Sequence, residues 1–196
     1  MATSRTELVN KALTLVGANP IVNIDDDTNN ARIVNRVYEI SLKSILSECQ
    51  WNFATKRKLL SSVSVTMEWY DTGEVYVYQK PNLCIRIFGT SSPTATWREE
   101  GDYIISDTSG LGVRYVYFHN EPSKYPAFFT EAFIDKLCAD IAFMILNSKK
   151  TAESFLEKFE KVSLTKALAE NAQTGTPVYQ KDDAWLNAKL GSSGDA

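Results

Sequence analysis

Histidine is almost absent from this sequence, since His119 is the only one among its 196 residues. A single imidazole excludes metal sites built from several histidines, and it leaves little of the general-base machinery that works near neutral pH. Cysteine is also scarce: Cys49, Cys84 and Cys138 lie far apart, so reduced thiols are expected rather than disulfides or a zinc site. These absences favour a structural or binding protein over an enzyme.

An excess of one charge is absent as well. The sequence holds 21 Lys and Arg against 24 Asp and Glu, which gives a formal net charge of -3 at pH 7. Nucleic-acid-binding domains usually carry a basic excess that displaces counterions from phosphate, so this balance disfavours that class. No apolar run is long enough to span a membrane and no signal-peptide pattern opens the chain, so the sequence predicts a protein that is made in a cytoplasm.

Hydrophobic residues, 44% of the total, recur at helical spacing near both ends of the chain. Ser4 and Glu7 have the spacing of a capping box at the start of the first helix. Intervals of three and four between apolar residues from 31 to 49 predict a second, longer helix. A fourth helix is predicted to begin near Thr151. The third helix is predicted after Pro126, and it is apolar on most sides. We expect it to be buried, with Phe129, Phe133, Leu137, Ile141 and either Met144 or Ile145 in the core.

The middle of the chain changes period. Residues 57–119 contain several β-branched or aromatic runs separated by glycine and proline, which predicts an antiparallel sheet or a small sandwich. Val63, Val65 and Met67 alternate with hydroxyl-bearing residues, as the residues of a half-exposed strand do. From residue 171 onward the composition becomes that of a linker, and a short amphipathic segment follows at residues 182–190.

An α+β fold follows from this order: a helical bundle of about four helices, an antiparallel β-sheet insertion and an extended C-terminal tail. Residues 1–56 and 120–172 are predicted to form the helical core, residues 57–119 the β-rich insertion, and residues 173–196 a linker with a docking tail. Five residues are assigned to this core and to its junction with the sheet: Trp51, Phe53, Arg57, Phe133 and Leu137.

Two groups of acidic residues invite a chemical interpretation. Glu99 and Asp102 suggest a pair of carboxylates for glycoside cleavage, but the adjacent Glu99 and Glu100 would point to opposite faces of a strand, so a hairpin turn is favoured. Residues 25–27, three aspartates, resemble the start of a calcium loop without its glycine and closing glutamate, so a helix N-terminus is favoured. Neither a phosphate-binding loop nor a G-x-S-x-G elbow occurs, and no catalytic, cofactor-binding or metal-ligating residue is assigned.

The strongest basic cluster, Lys56, Arg57 and Lys58, follows the aromatic residues Trp51 and Phe53. Basic and aromatic residues together can bind single-stranded nucleic acid. Here the cluster is short, the chain is net acidic, and Trp51 continues the apolar register of the preceding helix. A buried tryptophan followed by a solvated strand is therefore favoured, and contact between the cluster and an acidic partner surface stays open.

The C-terminal segment is the feature that a monomer explains least. Trp185, Leu186 and Leu190 lie beyond a linker that contains Gly175 and Pro177. An apolar segment on a tether usually docks, since tryptophan is a common anchor of interfaces. Docking on a partner and docking back on its own domain are equally consistent with the residues.

Several local patterns also occur together and in a fixed order. Residues 50–57 (Q-W-N-F-A-T-K-R) resemble the W-N-F-A-x-x-R junction of the phage head-to-tail adaptor proteins, called tail tubular protein A in short-tailed phages. Residues 78–86 resemble that family's Y-x-x-P-x-D-C-L-R strand, and residues 183–189 resemble its terminal D-x-W-L-x-A-R element. The resemblance covers nearly the whole chain. It departs at Leu83, where the family tends to have an acid, and at Lys189, where it tends to have arginine.

This resemblance implies a structural virion protein and not an enzyme, with no cofactor. It implies a homo-dodecameric ring in the neck of the virion, assembled in the host cytoplasm, that joins the portal protein to the tail nozzle or tail-tube protein. Genomic DNA would pass through the lumen without specific binding, and no membrane would be involved. The C-terminal segment is the expected portal contact, through Asp183, Trp185, Leu186, Lys189 and Leu190.

Two other classes of function stay open. A virion-associated cell-wall hydrolase would use carboxylates such as Glu99 and Asp102. A nucleic-acid-binding module would show an affinity for DNA that falls steeply with salt. The residues favour neither class.

Overall fold

A computed structural model of the protein describes residues 4–65, 68–69 and 73–175. The predicted α+β class, helices together with antiparallel sheet, is confirmed. The predicted C-terminal tail from residue 176 onward lies outside the described residues. The helices are α1 (Arg5–Leu15), α2 (Asn29–Glu48), α3 (Ala127–Leu146) and a fourth helical run made of α4 (Lys149–Lys158), a π-helical stretch (Phe159–Leu164) and α5 (Thr165–Gln173). The strands are β1 (Thr55–Leu59), β2 (Tyr76–Gln79), β3 (Cys84–Thr90), β4 (Trp97–Glu100), β5 (Tyr103–Ser106) and β6 (Gly112–Tyr117).

The first helix begins with the predicted capping box. The Ser4 backbone N–H donates to the Glu7 carboxylate at 2.8 Å, and the Glu7 N–H donates to the Ser4 hydroxyl at 3.1 Å. These two bonds satisfy N–H groups that the first turn of a helix leaves without a partner. The helix ends where Gly17 takes φ 78°, a left-handed conformation that glycine adopts without strain.

Helices α1, α2 and α3 build the larger of the two hydrophobic cores in the described ranges. α2 begins at its N-cap Thr28, whose hydroxyl accepts the Ala31 N–H at 3.3 Å, and the intervals of three and four residues then keep one face buried. α3 lies at the centre, and many of its side chains are buried on several sides. The sequence left open whether Met144 or Ile145 is buried at the end of α3. Ile145 packs against the core, whereas Met144 is 45% exposed.

The β-rich part folds as two three-stranded antiparallel sheets. The first has the strand order β1-β6-β3, and the second has the order β2-β5-β4. Side chains of both sheets form the smaller core, among them Tyr115 of the first sheet and Tyr78 of the second. The first sheet also contacts the helices, since Val116 of β6 belongs to the larger core. β6 therefore lies between the two cores.

The chain passes from the first sheet to the second just after β1. The Leu60 N–H donates to the Leu111 carbonyl beside β6 at 2.9 Å, and the Val63 N–H donates to the Val77 carbonyl of β2 at 2.8 Å. A chain that changes partner within three residues has to bend. The strand predicted from the alternation at residues 63–67 is therefore wrong in its described part, where residues 63–65 are irregular.

The turn between β2 and β3 holds the exposed Leu83 in a left-handed conformation, at φ 60°. That backbone costs a residue with a large side chain about 1 kcal/mol, whereas asparagine adopts it readily. We therefore expect Leu83→Asn to raise the free energy of unfolding by about 1 kcal/mol in urea titrations. The matched control is Leu59→Asn, at a similarly exposed leucine in the extended strand β1, which should gain no stability. If Leu83→Asn does not raise the free energy of unfolding, the left-handed conformation of Leu83 is not strained.

Candidate interaction surfaces

Trp51 lies at the junction between the helices and the first sheet, and it is fully buried. Its indole N–H donates to the Ile45 carbonyl near the end of α2 at 2.8 Å, so the one polar atom of the side chain is satisfied. Its ring meets Phe129 of α3 edge to face at 4.9 Å between centroids, and it lies 6.3 Å from the Phe53 ring. Trp51 thus ties α2, α3 and the start of β1 together.

The other residues predicted for the core and the junction lie in two places. Phe133 and Leu137 are fully buried on α3, where Phe133 meets an aromatic ring of α2 edge to face at 5.3 Å. Phe53 is half-buried and packs against the same core. Arg57, in contrast, is exposed on β1. The structure therefore brings Trp51, Phe53 and Phe133 into one aromatic cluster and leaves Arg57 outside it.

His119 is buried beside this cluster and is hydrogen-bonded there. Its Nδ1 lies 2.7 Å from the Tyr117 hydroxyl, and its carbonyl accepts the Tyr125 hydroxyl at 2.7 Å. Burial lowers the pKa of the imidazole, which keeps the ring neutral at pH 7. The histidine is thus a structural residue of the interior.

The three thiols are free, and they are poorly suited to nucleophilic chemistry. Burial raises the pKa of Cys49 and of Cys138 to about 12, and that of Cys84 to about 11. A thiol with so high a pKa is almost entirely protonated at neutral pH, and the protonated form is a weak nucleophile. The cysteines are therefore packing residues.

A pair of asparagines fastens the end of α5 to the junction. The buried Asn171 amide donates to the Gln50 carbonyl at 2.9 Å and accepts the Asn52 N–H at 3.0 Å. The Asn52 amide in turn donates to the Asn171 carbonyl at 3.0 Å and to the Thr174 hydroxyl. The last described residue, Gly175, therefore follows a segment bonded close to the start of β1. Sequence reasoning missed Asn171, because it placed the beginning of a linker there.

A groove of about 550 Å³ lies at the end of the first sheet that is away from the larger core. It crosses β1 and β6, where Arg57 and Arg114 are directly opposite each other in the strand register. Gly112 forms part of its wall, because a Cβ there would lie 3.0 Å from the Cβ of Ser91, whose hydroxyl accepts the Gly112 N–H at 2.9 Å. We name this feature the basic groove and define it by Arg57, Leu59, Thr90, Ser91, Gly112 and Arg114.

The two arginines of the basic groove are opposite each other in the strand register, and neither has an acidic partner among the described residues. Neither Arg57 nor Arg114 forms an ion pair within the described parts of the chain. Like charges directly opposite on a sheet are destabilising, by up to about 1 kcal/mol. Arg86 on the adjacent β3 differs, because it donates to the Ser47 carbonyl of α2 at 3.1 Å. The arginine pair therefore favours an anionic ligand or partner.

The π-helical stretch surrounds a buried carboxylate. Asp135 of α3 accepts the Lys158 ammonium at 2.8 Å on one oxygen and the Ser163 hydroxyl on the other. The wider π-helical turn places Ser163 on the inner side of the run. Since both oxygens are satisfied, the group clamps α3 to the fourth helical run. A cleft of about 360 Å³ lies beside it, and the exposed Leu15 and Val162 are part of its lining.

The carboxylates near residue 100 are held in ion pairs. β4 and β5 form a hairpin with a two-residue turn in which Gly101 has φ 58°, so the predicted hairpin turn is confirmed. Glu99 pairs with Lys80, and Glu100 pairs with Arg98 at 2.7 Å. The two glutamates thus bind different cations, as expected for neighbours on opposite faces of a strand.

Large apolar side chains of the described helices are grouped on the surface at two places, and Ile40 of α2 and Leu156 of α4 are exposed as well. Phe143, Met144 and Leu146 are exposed in the last turn of α3. Leu15 and Val162 are exposed beside the cleft at the π-helical stretch. Clustered apolar groups on a surface mark places of association with other proteins.

Comparisons with known proteins add no assignment to these surfaces. No protein-family model matches the chain, and no curated protein matches it. Within residues 4–65, 68–69 and 73–175, no helix is long and apolar enough to cross a membrane. In the same ranges, no three or more His, Cys, Asp or Glu side chains are grouped to hold a metal ion. The residues predicted to contact a portal lie outside the described part of the chain: Asp183, Trp185, Leu186, Lys189 and Leu190.

Proposed function

We propose that the protein is a structural virion protein, a head-to-tail adaptor that joins the portal of a phage to its tail nozzle. The observation that carries the proposal is the ordered resemblance of residues 50–57, 78–86 and 183–189 to the patterns of that family. Several patterns in a fixed order along most of a chain are more specific than any one of them. The first pattern forms the junction around Trp51, and the second contains the left-handed turn at Leu83.

The burial of the first pattern supports a structural role for it. Trp51 and Ala54 are fully buried, Phe53 is half-buried, and Arg57 lines the basic groove. The buried members fix the position at which β1 leaves the helices. In the proposed adaptor this is the joint between the helical part and the sheets, and we assign the sheets to the nozzle side.

A homo-dodecameric ring is built from heterologous contacts, in which one face of a subunit meets a different face of the next. The described helices offer two exposed apolar surfaces, one in the last turn of α3 and one beside the cleft at the π-helical stretch. We assign these surfaces to the contacts between subunits. The portal would serve as the template that brings the subunits together.

The charge balance suits a conduit for DNA. With a formal net charge of -3 per subunit, a ring of this chain carries no basic excess that would hold the phosphates. Genomic DNA would therefore pass through the lumen without specific binding. The same reasoning separates the adaptor from a nucleic-acid-binding module, whose affinity for DNA would fall steeply with salt.

Portal attachment is assigned to the C-terminal segment. Trp185 supplies a large ring of the kind that anchors interfaces, Leu186 and Leu190 add apolar area, and Asp183 and Lys189 add charge. Lysine lacks the planar fork of arginine, so the contact at Lys189 relies on its charge. The protein would act in the neck of the virion after its assembly in the host cytoplasm.

Removal of residues 182–196 tests this assignment. The shortened chain is expected to lose attachment to the purified cognate portal, because it lacks every residue assigned to that contact. Co-sedimentation of the protein with the portal is the measurement. The matched control lacks residues 191–196 alone, keeps Leu190, and should attach as the full chain does.

Folding of the shortened chain is measured separately by its thermal unfolding. The last described helix ends at Gln173, so the shortened chain should keep a single cooperative unfolding transition. Attachment of a folded, shortened chain at the level of the full chain would refute the role given to residues 182–190.

A further inference from the structure

We propose that the basic groove binds residues 182–190 of the chain's own C-terminus in the free subunit. This docking needs no portal, so it goes beyond the proposed adaptor function. Three features support it: two arginines without an acidic partner in the described ranges, a C-terminal segment that is both acidic and apolar, and a tether of sufficient length between them.

The groove favours an anionic group. Arg57 and Arg114 are direct neighbours across β1 and β6, and neither meets an acidic side chain among the described residues. The Arg114 guanidinium lies over Gly89 of β3, where a Cβ would be 3.6 Å from its Nη2. A carboxylate between the two guanidinium groups would replace their repulsion with charge-assisted hydrogen bonds.

The remainder of the groove suits an apolar side chain next to that carboxylate. Leu59 of β1 is 71% exposed, although it stands in a β-strand. Thr90, Ser91 and Gly112 also line the groove, together with Lys58 and Val113. A volume of about 550 Å³ accommodates an indole ring together with a neighbouring side chain. The groove therefore favours a peptide that combines acidic and aromatic residues.

Residues 182–190 have this composition. Asp182 and Asp183 provide two adjacent carboxylates, and Trp185 and Leu186 follow directly behind them. Their negative charge is complementary to the arginine pair, and their apolar side chains are complementary to the exposed Leu59. Docking would cover apolar surface on both sides of the contact, which is favourable in water.

The tether is long enough for the segment to reach the groove of its own subunit. Asn52 bonds to Thr174 and precedes Arg57 by five residues, so the Cα atoms of Asn52 and Arg57 are at most about 18 Å apart. From Gly175 to Asp182 the extended chain spans up to about 25 Å. Asp182 can therefore lie against Arg57 without any change in α5.

Docking would cover the segment to which portal attachment is assigned. In the free subunit Trp185 would be shielded from water, and a portal would have to displace it from the groove. This consequence rests on the proposed function, whereas the docking itself does not.

Hydrogen–deuterium exchange of the full chain tests the docking. We expect the amides of residues 182–190 to exchange about tenfold faster in the double variant Arg57→Glu/Arg114→Glu than in the unmodified protein, because the altered groove repels the segment. The control Arg32→Glu/Arg36→Glu makes the same change of charge on α2, and it should leave the exchange of the segment unchanged. Equal exchange in the groove variant and the unmodified protein would overturn the proposal.

A charge swap separates docking from damage to the sheet. Adding Asp182→Arg and Asp183→Arg to the groove variant should restore slow exchange, because opposite charges face each other again. In the unmodified protein, an increase from about 0.05 M to about 1 M salt should speed the exchange of the segment. Protection that appears only as the protein concentration rises would place the segment on a second copy and would overturn docking within one subunit. No portal is present, so these outcomes do not depend on the adaptor function.

Discussion

Replacing Trp51 with alanine is expected to lower the free energy of unfolding by about 4 kcal/mol. The side chain is fully buried, and its removal leaves a cavity where the ring met Phe129 between α2, α3 and the start of β1. The Ile45 carbonyl also loses its donor, which adds the cost of an unsatisfied buried acceptor. The sheets should be affected as well as the helices, since the chain passes from one to the other at this residue.

Urea titration followed by circular dichroism measures this change, with Trp69→Ala as the control. Trp69 is 70% exposed, so its replacement should alter the free energy of unfolding by no more than about 0.5 kcal/mol. Trp51→Phe keeps an aromatic ring in the cavity and should lose clearly less than Trp51→Ala. A loss below about 1 kcal/mol in Trp51→Ala would mean that the junction does not depend on this ring.

The helices could be predicted because their determinants are local. The capping box at Ser4 and the intervals of three and four residues in α2 need no information from distant parts of the chain. The α+β class follows from the change of period between the ends of the chain and its middle. The hairpin around Gly101 could be predicted for a similar reason, since two-residue turns have residue preferences of their own.

The features that the sequence did not predict depend on contacts between segments that are distant along the chain. Asn171 begins a stretch that has the composition of a linker. Its hydrogen-bond partners Asn52 and Gln50, however, lie 119 and 121 positions earlier in the chain. The inward turn of Ser163 depends on Asp135 of another helix. Neither side chain belongs to an apolar pattern, so a reading based on periodicity assigns both to the surface.

The basic groove is only half visible in the sequence. Residues 56–58 form one basic cluster in the sequence. Successive side chains of a strand point to opposite faces of the sheet, so the three side chains do not share one face. Lys56 lies on the other face, 3.6 Å from the centre of the Tyr117 ring, whereas Arg57 lines the groove. Arg114 joins Arg57 through the register of β1 with β6, and register depends on the pairing of distant strands. The arginine pair could therefore not be predicted from spacing.

Assembly on the portal should be the other large effect, and we expect it to be all or none. Heterologous contacts close into a ring only when the rotation between subunits matches the symmetry of the template. The two apolar surfaces on the helices are limited to a few side chains each, so a pair of subunits gains little from them alone. In the proposed adaptor, the portal would add a second contact for every subunit, and the combined contacts would favour the complete ring.

Native mass spectrometry of the cognate portal, with and without the protein, tests the adaptor function most directly. Twelve subunits of 22.0 kDa should add about 260 kDa to each portal ring in a single step. A portal whose mass stays unchanged at saturating protein, or that takes up subunits without a preference for twelve, would contradict the proposed adaptor.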